Sequence, residues 1–277
     1  MNRHPWLGFG LVVLGCALAT NSLLGPLAAG VVEYPLSRTL LNQTLGLEVA
    51  SLVLVAPVSV AAGLLVLRGH PAGALLGLGP ALYSAYMFVQ YVVGPEYLEY
   101  PGVLTFHLGL FILAEVLAVR AWTAVDSGSL PSVSVRRERT LGFLLLVLAG
   151  FIVLRYLPGI VGSFTGEPLP ADAREDPAMY WTIVLLDLGI VVPAALASGV
   201  ALIAGRAPAW ARKTAYAVVG WFALVGTAVA AMGVAMVLDD DPNASAGLVT
   251  VFSVTAVGAI VLALWTYRPL LDVGRPS

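Results

Sequence analysis

Eight continuous apolar stretches, each long enough to cross a bilayer, occupy most of the sequence. A hydrocarbon core about 30 Å thick requires about 20 residues of α-helix. The stretches do not alternate between polar and apolar residues, as the strands of a membrane barrel would. We therefore predict an all-α, polytopic transmembrane helical bundle with spans at 6–28, 46–67, 72–93, 102–120, 140–158, 179–204, 214–237 and 247–267.

The low charge of the chain supports this membrane class. Of its 277 residues, 59% are hydrophobic and 11% are charged, whereas a soluble domain has about 25% charged residues. No segment outside the spans is long enough to fold separately, so we treat residues 1–277 as a single membrane domain. Cys16 is the one cysteine, which excludes a disulfide framework, a cysteine-rich zinc site and CxxC redox chemistry.

The distribution of basic residues predicts the orientation. With the N-terminus in the cytoplasm, 11 of the 14 basic residues lie on the cytoplasmic side, and the opposite loops are acidic. Because cytoplasmic loops are enriched in arginine and lysine, we expect both termini in the cytoplasm and the protein in the cell (plasma) membrane. We expect the first stretch to be a retained helix, since Thr20, Asn21 and Ser22 interrupt it before any cleavage site.

A basic linker, residues 121–139, divides the chain into halves of four spans each, 1–120 and 140–277. One pattern occurs in both halves: a carboxylate precedes a proline, a glycine lies six residues after the proline, and an arginine lies at the end of the span. Its residues are Glu48, Pro57, Gly63 and Arg68 in span two, and Asp187, Pro193, Gly199 and Arg206 in span six. A duplication of four spans would give two parallel repeats. Coincidence is the alternative, because proline and glycine are common in membrane helices.

Four spans contain an ionisable residue: Glu48, Glu115, Arg155 and Asp187. A charge at the bilayer centre costs at least about 2.5 kcal/mol, so it requires a partner, water or a function. Three of them share the outer leaflet, and we interpret them as an outward-facing polar pocket in which Arg155 anchors an anion and Asp187 is its counter-ion. The alternative is a buried salt bridge that only fixes helix packing, and Glu48 alone also fits an interfacial position.

Two further spans place polar side chains at helical spacing. Tyr83, Tyr86 and Gln90 share one face of span three, and His107 and Glu115 share one face of span four. We assign Tyr86, Gln90 and His107 to the same pocket and consider Glu115 a proton-relay candidate. The alternative for these side chains is hydrogen bonding within the helix packing.

The sequence contains no GxSxG, Walker, GxGxxG or HExxH pattern, so we predict no catalytic residue and no metal site, and it names no cofactor. Our first hypothesis is small-solute or ion transport, or ligand binding, through Arg155, Asp187, Glu48, Tyr86, Gln90 and His107. The second is a structural or accessory membrane subunit with buried ion pairs, and the third is an intramembrane lipid-modifying enzyme. We expect membrane lipids and a small molecule or ion as partners and no nucleic acid, and we leave open a homo-oligomer or a partner subunit.

A resemblance adds to this interpretation. The segment LLDLGIVVP at 185–193, the pair Arg68–Gly69 and the motif YSAYMFVQY at 83–91 resemble an uncharacterised family of polytopic integral membrane proteins of bacteria and archaea. The resemblance covers spans two to six. It implies the helical membrane fold and carries no function to this chain.

Overall fold

The computed structural model describes residues 4–94, 101–126, 128, 130–166, 168–205 and 207–272. Within these residues, eight helices are long and apolar enough to span a membrane, which confirms the predicted polytopic helical bundle. We label them α1 Pro5–Leu24, α2 Arg38–Leu67, α3 Ala72–Val93, α4 Pro101–Ala124, α5 Val135–Thr165, α6 Pro177–Ile203, α7 Ala209–Leu238 and α8 Ala246–Asp272. A short helix, Ala171–Glu175, precedes α6.

Three helices, α2, α5 and α7, begin at least five residues before the predicted spans. Serine side chains cap the first two: Ser37 accepts a hydrogen bond from the Leu40 amide at the start of α2, and Ser134 accepts one from the Arg137 amide at the start of α5. Such caps satisfy backbone amides that have no partner in the first turn. The apolar stretches alone therefore underestimate these helices, because their first turns are polar.

The helices pack mainly against their neighbours in sequence, and α7 connects the two halves. Helices α1 to α4 form one consecutive series of contacts, α5 to α8 form another, and α7 also packs against α2 and α3. In α3, 78% of the most apolar window is buried, whereas in α8 the figure is 11%. Helix α3 is therefore central, and α8 lies at the rim with α7 as its main support.

Pairs of glycines allow two helix pairs to approach closely. A Cβ atom added to Gly8 in α1 would lie 2.9 Å from the carbonyl oxygen of Gly63 in α2, and one added to Gly63 would lie 2.6 Å from that of Gly8. Gly142 in α5 and Gly199 in α6 face each other in the same way, at 2.6 and 2.9 Å. Small residues at such crossings let backbones pack directly in membranes.

Helices α2 and α6 share a local irregularity. Each contains a π-helical segment, Ser51–Val55 in α2 and Asp187–Val191 in α6. Proline is the second residue after each segment, Pro57 in α2 and Pro193 in α6. Each helix ends two residues before a glycine with positive φ, Gly69 at 74° and Gly205 at 83°. Proline removes a backbone donor and disturbs the regular hydrogen bonding upstream of it. Arg206 of the repeated pattern lies outside the described residues, and the hypothesis of two related halves stays a prediction.

Polar contacts join helices at both ends of the bundle, and one of these contacts links the two halves. At one end, Glu138 of α5 is buried 2.7 Å from the Arg212 guanidinium of α7; this contact is an ion pair without hydrogen-bond geometry. At the other end, Arg38 Nε donates to Asp239 Oδ2 at 2.7 Å and Asn42 Nδ2 donates to the same oxygen at 2.9 Å. The start of α2 is thus fixed to the connection between α7 and α8.

The glycine crossings generate a stability prediction. We expect Gly63→Ala and Gly199→Ala each to lower the free energy of unfolding by about 1–3 kcal/mol, because the added methyl group would meet a backbone carbonyl that cannot turn away. Gly150→Ala in α5 is the matched control, since nothing lies within 4 Å of its Cβ position. Denaturation of the purified variants in detergent measures the effect, and equal stability of all three would contradict the close packing.

The contact between Arg38 and Asp239 generates a pH prediction. The Arg38 hydrogen bond, followed by that of Asn42, holds the pKa of Asp239 below its ordinary value of 3.8. Because the folded-state pKa is the lower one, the contact stabilises the protein above the ordinary pKa and loses this contribution as the pH falls through the folded-state value. We expect Asp239→Asn to lower the melting temperature slightly at neutral pH and to have no effect in acid. A difference that persisted in acid would contradict this assignment.

Candidate functional site

Asp187 is the first residue of the π-helical segment in α6, and two tyrosine hydroxyls bind its side chain. Tyr86 of α3 donates to Oδ1 at 2.9 Å, and Tyr156 of α5 donates to Oδ2 at 2.6 Å. The side chain is 5% exposed, so both carboxyl oxygens are satisfied inside the protein. Helix irregularities of this kind often occur at functional sites, and this one places a carboxyl group where three helices meet.

Arg155 lies near Asp187, as expected, although its position differs from that of a buried counter-ion. Its side chain is exposed at the rim of the bundle, with the guanidinium 5.3 Å from the centre of the Tyr156 ring. Arg155 and Asp187 line a small cavity of about 50 Å³ between α5, α6, α7 and α8. At about 30 Å³ for each water in the liquid, this space suits one or two waters and no larger solute.

A much larger cavity of about 520 Å³ lies between α3, α4, α6 and α7. Most of its wall is aliphatic or aromatic, with side chains such as Leu78, Leu82, Ala118, Ile190, Val191 and Ala194. Trp122 and Thr214 line the cavity where α4 ends and α7 begins, and Tyr86 and Trp221 line it deeper in the bundle. The cavity is therefore a long apolar space with few polar groups in its wall.

Glu115 supplies the one carboxyl group of that lining. Its side chain is exposed, and it shares the wall with Tyr86, whose hydroxyl binds Asp187. The cavity therefore connects two of the groups identified in the sequence, Glu115 directly and Asp187 through Tyr86. The proposed relay of protons by Glu115 stays a prediction.

Trp221 belongs to the walls of both cavities. Its indole meets the Tyr86 ring edge-on, with the ring centres 5.2 Å apart and the planes at 72°. The side chain is almost fully buried, with 5% exposed. Trp221 and Tyr86 together thus form the partition between the large cavity and the Arg155 cavity.

Glu48 and His107 form a second cluster, which has no residue in common with the first. Glu48 is fully buried, and the Tyr34 hydroxyl donates to its Oε1 at 2.9 Å. His107 is also fully buried, with Nε2 3.0 Å from Asn21 Oδ1. The Tyr34 and His107 rings stack with their centres 5.9 Å apart. An interfacial position would leave the Glu48 side chain exposed, whereas the structure buries it.

Gln90 belongs to neither cluster, because its amide donates at 2.9 Å to the Tyr86 carbonyl oxygen in its own helix. Of the six predicted ligand-binding residues, Asp187, Tyr86 and Arg155 therefore lie in one cluster. Glu48 and His107 lie in the other. Contact of any of them with a ligand stays a prediction. Among the residues described, no group of three or more His, Cys, Asp or Glu side chains could hold a metal ion.

Sequence reasoning missed Tyr156, which binds Asp187, and Tyr34, which binds Glu48. Tyr156 follows Arg155 directly, and the requirement of a buried hydroxyl for a partner, which singled out Tyr83 and Tyr86, applies to it equally. Tyr34 lies between α1 and α2, in a connection where no helical spacing indicates its orientation. Its partner could be identified only from the structure.

The two tyrosine contacts of Asp187 generate a stability prediction. We expect Tyr156→Phe and Tyr86→Phe each to lower the free energy of unfolding by about 1–3 kcal/mol, because each leaves a buried carboxyl oxygen without its donor. Tyr267→Phe is the control, since that hydroxyl donates to the neutral Tyr216 carbonyl oxygen at 2.7 Å, a weaker class of hydrogen bond. Denaturation in detergent measures the three effects, and equal losses would argue that Asp187 is uncharged.

Comparisons with known proteins give no relative to guide the assignment of a function. The chain matches no protein family, no curated protein and no solved structure.

Proposed function

We propose that this integral membrane protein binds a lipid-like amphiphile, with its acyl or prenyl chain in the cavity between α3, α4, α6 and α7. The cavity of about 520 Å³ is the observation that carries the proposal. It has the volume of about 17 liquid waters and falls in the size range of small-molecule sites, which are mostly apolar with a few placed polar groups. An apolar lining of this kind favours a hydrocarbon chain over an ion or a hydrated solute.

The shape of the cavity supports an elongated ligand. Along α4 its lining extends from Phe111 to Trp122, which corresponds to about 16 Å at 1.5 Å per residue. Deeper in the bundle, the rings of Tyr86 and Trp221 close the space. A chain that lay along α4 would therefore contact hydrocarbon over most of its length and aromatic rings at its tip.

The other end of the cavity suits a polar headgroup with negative charge. Trp122 and Thr214 line this end, and tryptophan is enriched where helices meet lipid headgroups. Next to them, Lys213 Nζ donates to the Trp122 carbonyl oxygen at 3.4 Å and lies 5.7 Å from its ring centre. Lys213 would attract a phosphate or carboxylate headgroup, and Glu115, part-way along the wall, would accept a hydrogen bond from a hydroxyl group of the ligand.

The proposal keeps ligand binding from the first sequence hypothesis but replaces the small solute or ion with an amphiphile and moves the site away from Arg155 and Asp187. The cavity beside Arg155 and Asp187 is about ten times smaller than the cavity beside Glu115, so the geometry favours the larger one as the ligand site. The structural alternative, an accessory subunit with buried ion pairs, has support in the buried contact between Glu138 and Arg212. An accessory role would not require the cavity to bind a ligand, so the same experiment tests both.

Cavity filling tests the proposal. We expect Ala194→Trp to reduce labelling by a photoactivatable fatty acid at least tenfold, because the indole would occupy the space of the chain. Val116→Trp is the matched control, since Val116 is 53% exposed on α4 and does not line the cavity. Mass spectrometry of peptides from the labelled, detergent-purified protein identifies the site. Equal labelling of both variants and the parent protein would contradict binding in the cavity.

Glu115 provides a second, independent prediction. We expect Glu115→Leu to weaken binding of a hydroxylated amphiphile about tenfold, the effect of one lost hydrogen bond of about 1.4 kcal/mol. Binding of a matched chain without the hydroxyl group should not weaken, since the apolar wall is retained. Competition against the photoactivatable fatty acid measures both affinities. An equal change for the two ligands would exclude a direct hydrogen bond from Glu115.

A further inference from the structure

The buried carboxyl groups of Asp187 and Glu48 differ in how completely they are satisfied. Both oxygens of Asp187 accept tyrosine hydroxyls. Glu48 Oε1 accepts the Tyr34 hydroxyl, and the Leu27 backbone also approaches this carboxyl group. Glu48 Oε2 is buried and has no partner with regular hydrogen-bond geometry among the described residues. Leaving such a group unsatisfied costs about 1–3 kcal/mol, and more when it is charged. Glu48 Oε2 thus still requires a polar partner, whereas both oxygens of Asp187 already have one.

Two other side chains of the same region share this property. Asn21 Nδ2 and Ser22 Oγ in α1 are buried without a hydrogen-bond partner in the described part of the chain, and the two residues are 1% and 0% exposed. Unsatisfied buried groups are rare in folded proteins, and each requires an explanation. Three of them on adjacent helices indicate a site for a small polar species.

Contacts between neighbours place Asn21 and Glu48 in one cluster. The Gly25 amide donates to the Asn21 carbonyl oxygen at 2.9 Å, so Gly25 lies one turn beyond Asn21. A Cβ atom on Gly25 would lie 2.7 Å from Glu48 Oε2. His107, which contacts Asn21, stacks on the Tyr34 ring, and Tyr34 binds Glu48. Asn21, Gly25, Glu48, Tyr34 and His107 are thus consecutive neighbours in one ring of contacts.

The orientation of the Asn21 amide determines which of its atoms can bind a ligand. Oxygen and nitrogen of an amide are exchanged by a half-turn, and the tautomer of the neighbouring histidine decides which is favoured. When neutral His107 accepts at Nε2, Asn21 Nδ2 becomes its donor and Oδ1 becomes available. The available ligand atoms are then Glu48 Oε2, Asn21 Oδ1 and Ser22 Oγ, a set of oxygens that suits a hard cation.

The surrounding charges favour a cation and argue against an anion. The connection above the site contributes Tyr34, α3 contributes Tyr91, and α4 contributes His107. Among the described residues, the nearest basic side chain in the sequence is Arg38, and Asp239 holds it. Because the described residues also lack a cluster of His, Cys, Asp and Glu ligands for a metal, a monovalent ion fits better than zinc.

We propose that Glu48, Asn21 and Ser22 form a buried site for a monovalent cation, Na⁺, beneath the connection between α1 and α2. The site lies apart from the lipid cavity, so the proposal does not depend on the proposed function. The cation would balance the Glu48 carboxylate, which has no basic partner among the described residues of the site. It would also fix the start of α2 against the end of α1.

Sodium-dependent stability tests the proposal. We expect NaCl to raise the melting temperature of the detergent-purified protein above that in choline chloride of equal ionic strength, in a saturable manner. Glu48→Gln should abolish this difference, because it removes the negative charge of the site. Asp187→Asn is the matched control, since it changes a buried carboxyl group outside the site and should retain the sodium response.

Binding of radioactive ²²Na⁺ provides a second measurement if Glu48→Gln does not fold. Ser22→Ala removes a single oxygen ligand and little volume, and we expect it to weaken ²²Na⁺ binding at least tenfold while the protein remains folded. Identical melting temperatures in sodium and choline with no ²²Na⁺ binding would overturn the proposal. A melting temperature that responds to pH and not to sodium would also overturn it, since Glu48 would then bind a proton.

Discussion

Hydrocarbon offers no hydrogen bonds, and therefore every polar group at membrane depth must find its partner inside the protein. This constraint organises the bundle. Ser84 donates to the carbonyl oxygen of Pro80 in α3 at 2.8 Å, and Ser59 of α2 donates to that of Leu11 in α1 at 2.7 Å. The same constraint explains why tyrosine hydroxyls from other segments bind the carboxyl groups of Asp187 and Glu48. Polar side chains thus determine which helices meet, while apolar side chains fill the space between them.

Glycine and proline determine how closely the helices meet and where they deviate from regular geometry. The crossings of α1 with α2 and of α5 with α6 depend on glycines whose replacement would bring a side chain against a backbone carbonyl. The π-helical segments of α2 and α6 follow the same arrangement, with proline shortly after each. In α6 this segment begins with Asp187. Local backbone geometry and the position of a buried carboxyl group are therefore linked.

The eight spans could be predicted from the sequence because length and hydropathy depend on each helix separately. Their neighbours could not, since hydropathy does not report which side of a helix faces lipid. Glu115 and His107 share a face of α4 by spacing, yet Glu115 lines the large cavity and His107 is buried beside Asn21. Arg155 was expected to neutralise Asp187 directly, whereas tyrosine hydroxyls occupy both oxygens of Asp187.

The large cavity itself has no sequence signature, because residues from four separate helices line it. Tyr34 shows the same limit, since its role depends on the path of a connection without regular structure. The side chains that could be assigned in advance were those whose burial had a clear energetic consequence, such as Asp187 and Glu48. Their partners became apparent only from the three-dimensional arrangement.

The position of Trp221 between two cavities has a mechanical consequence. Because the same indole ring lines both spaces, a change in its side-chain rotamer would alter the shape of both at once.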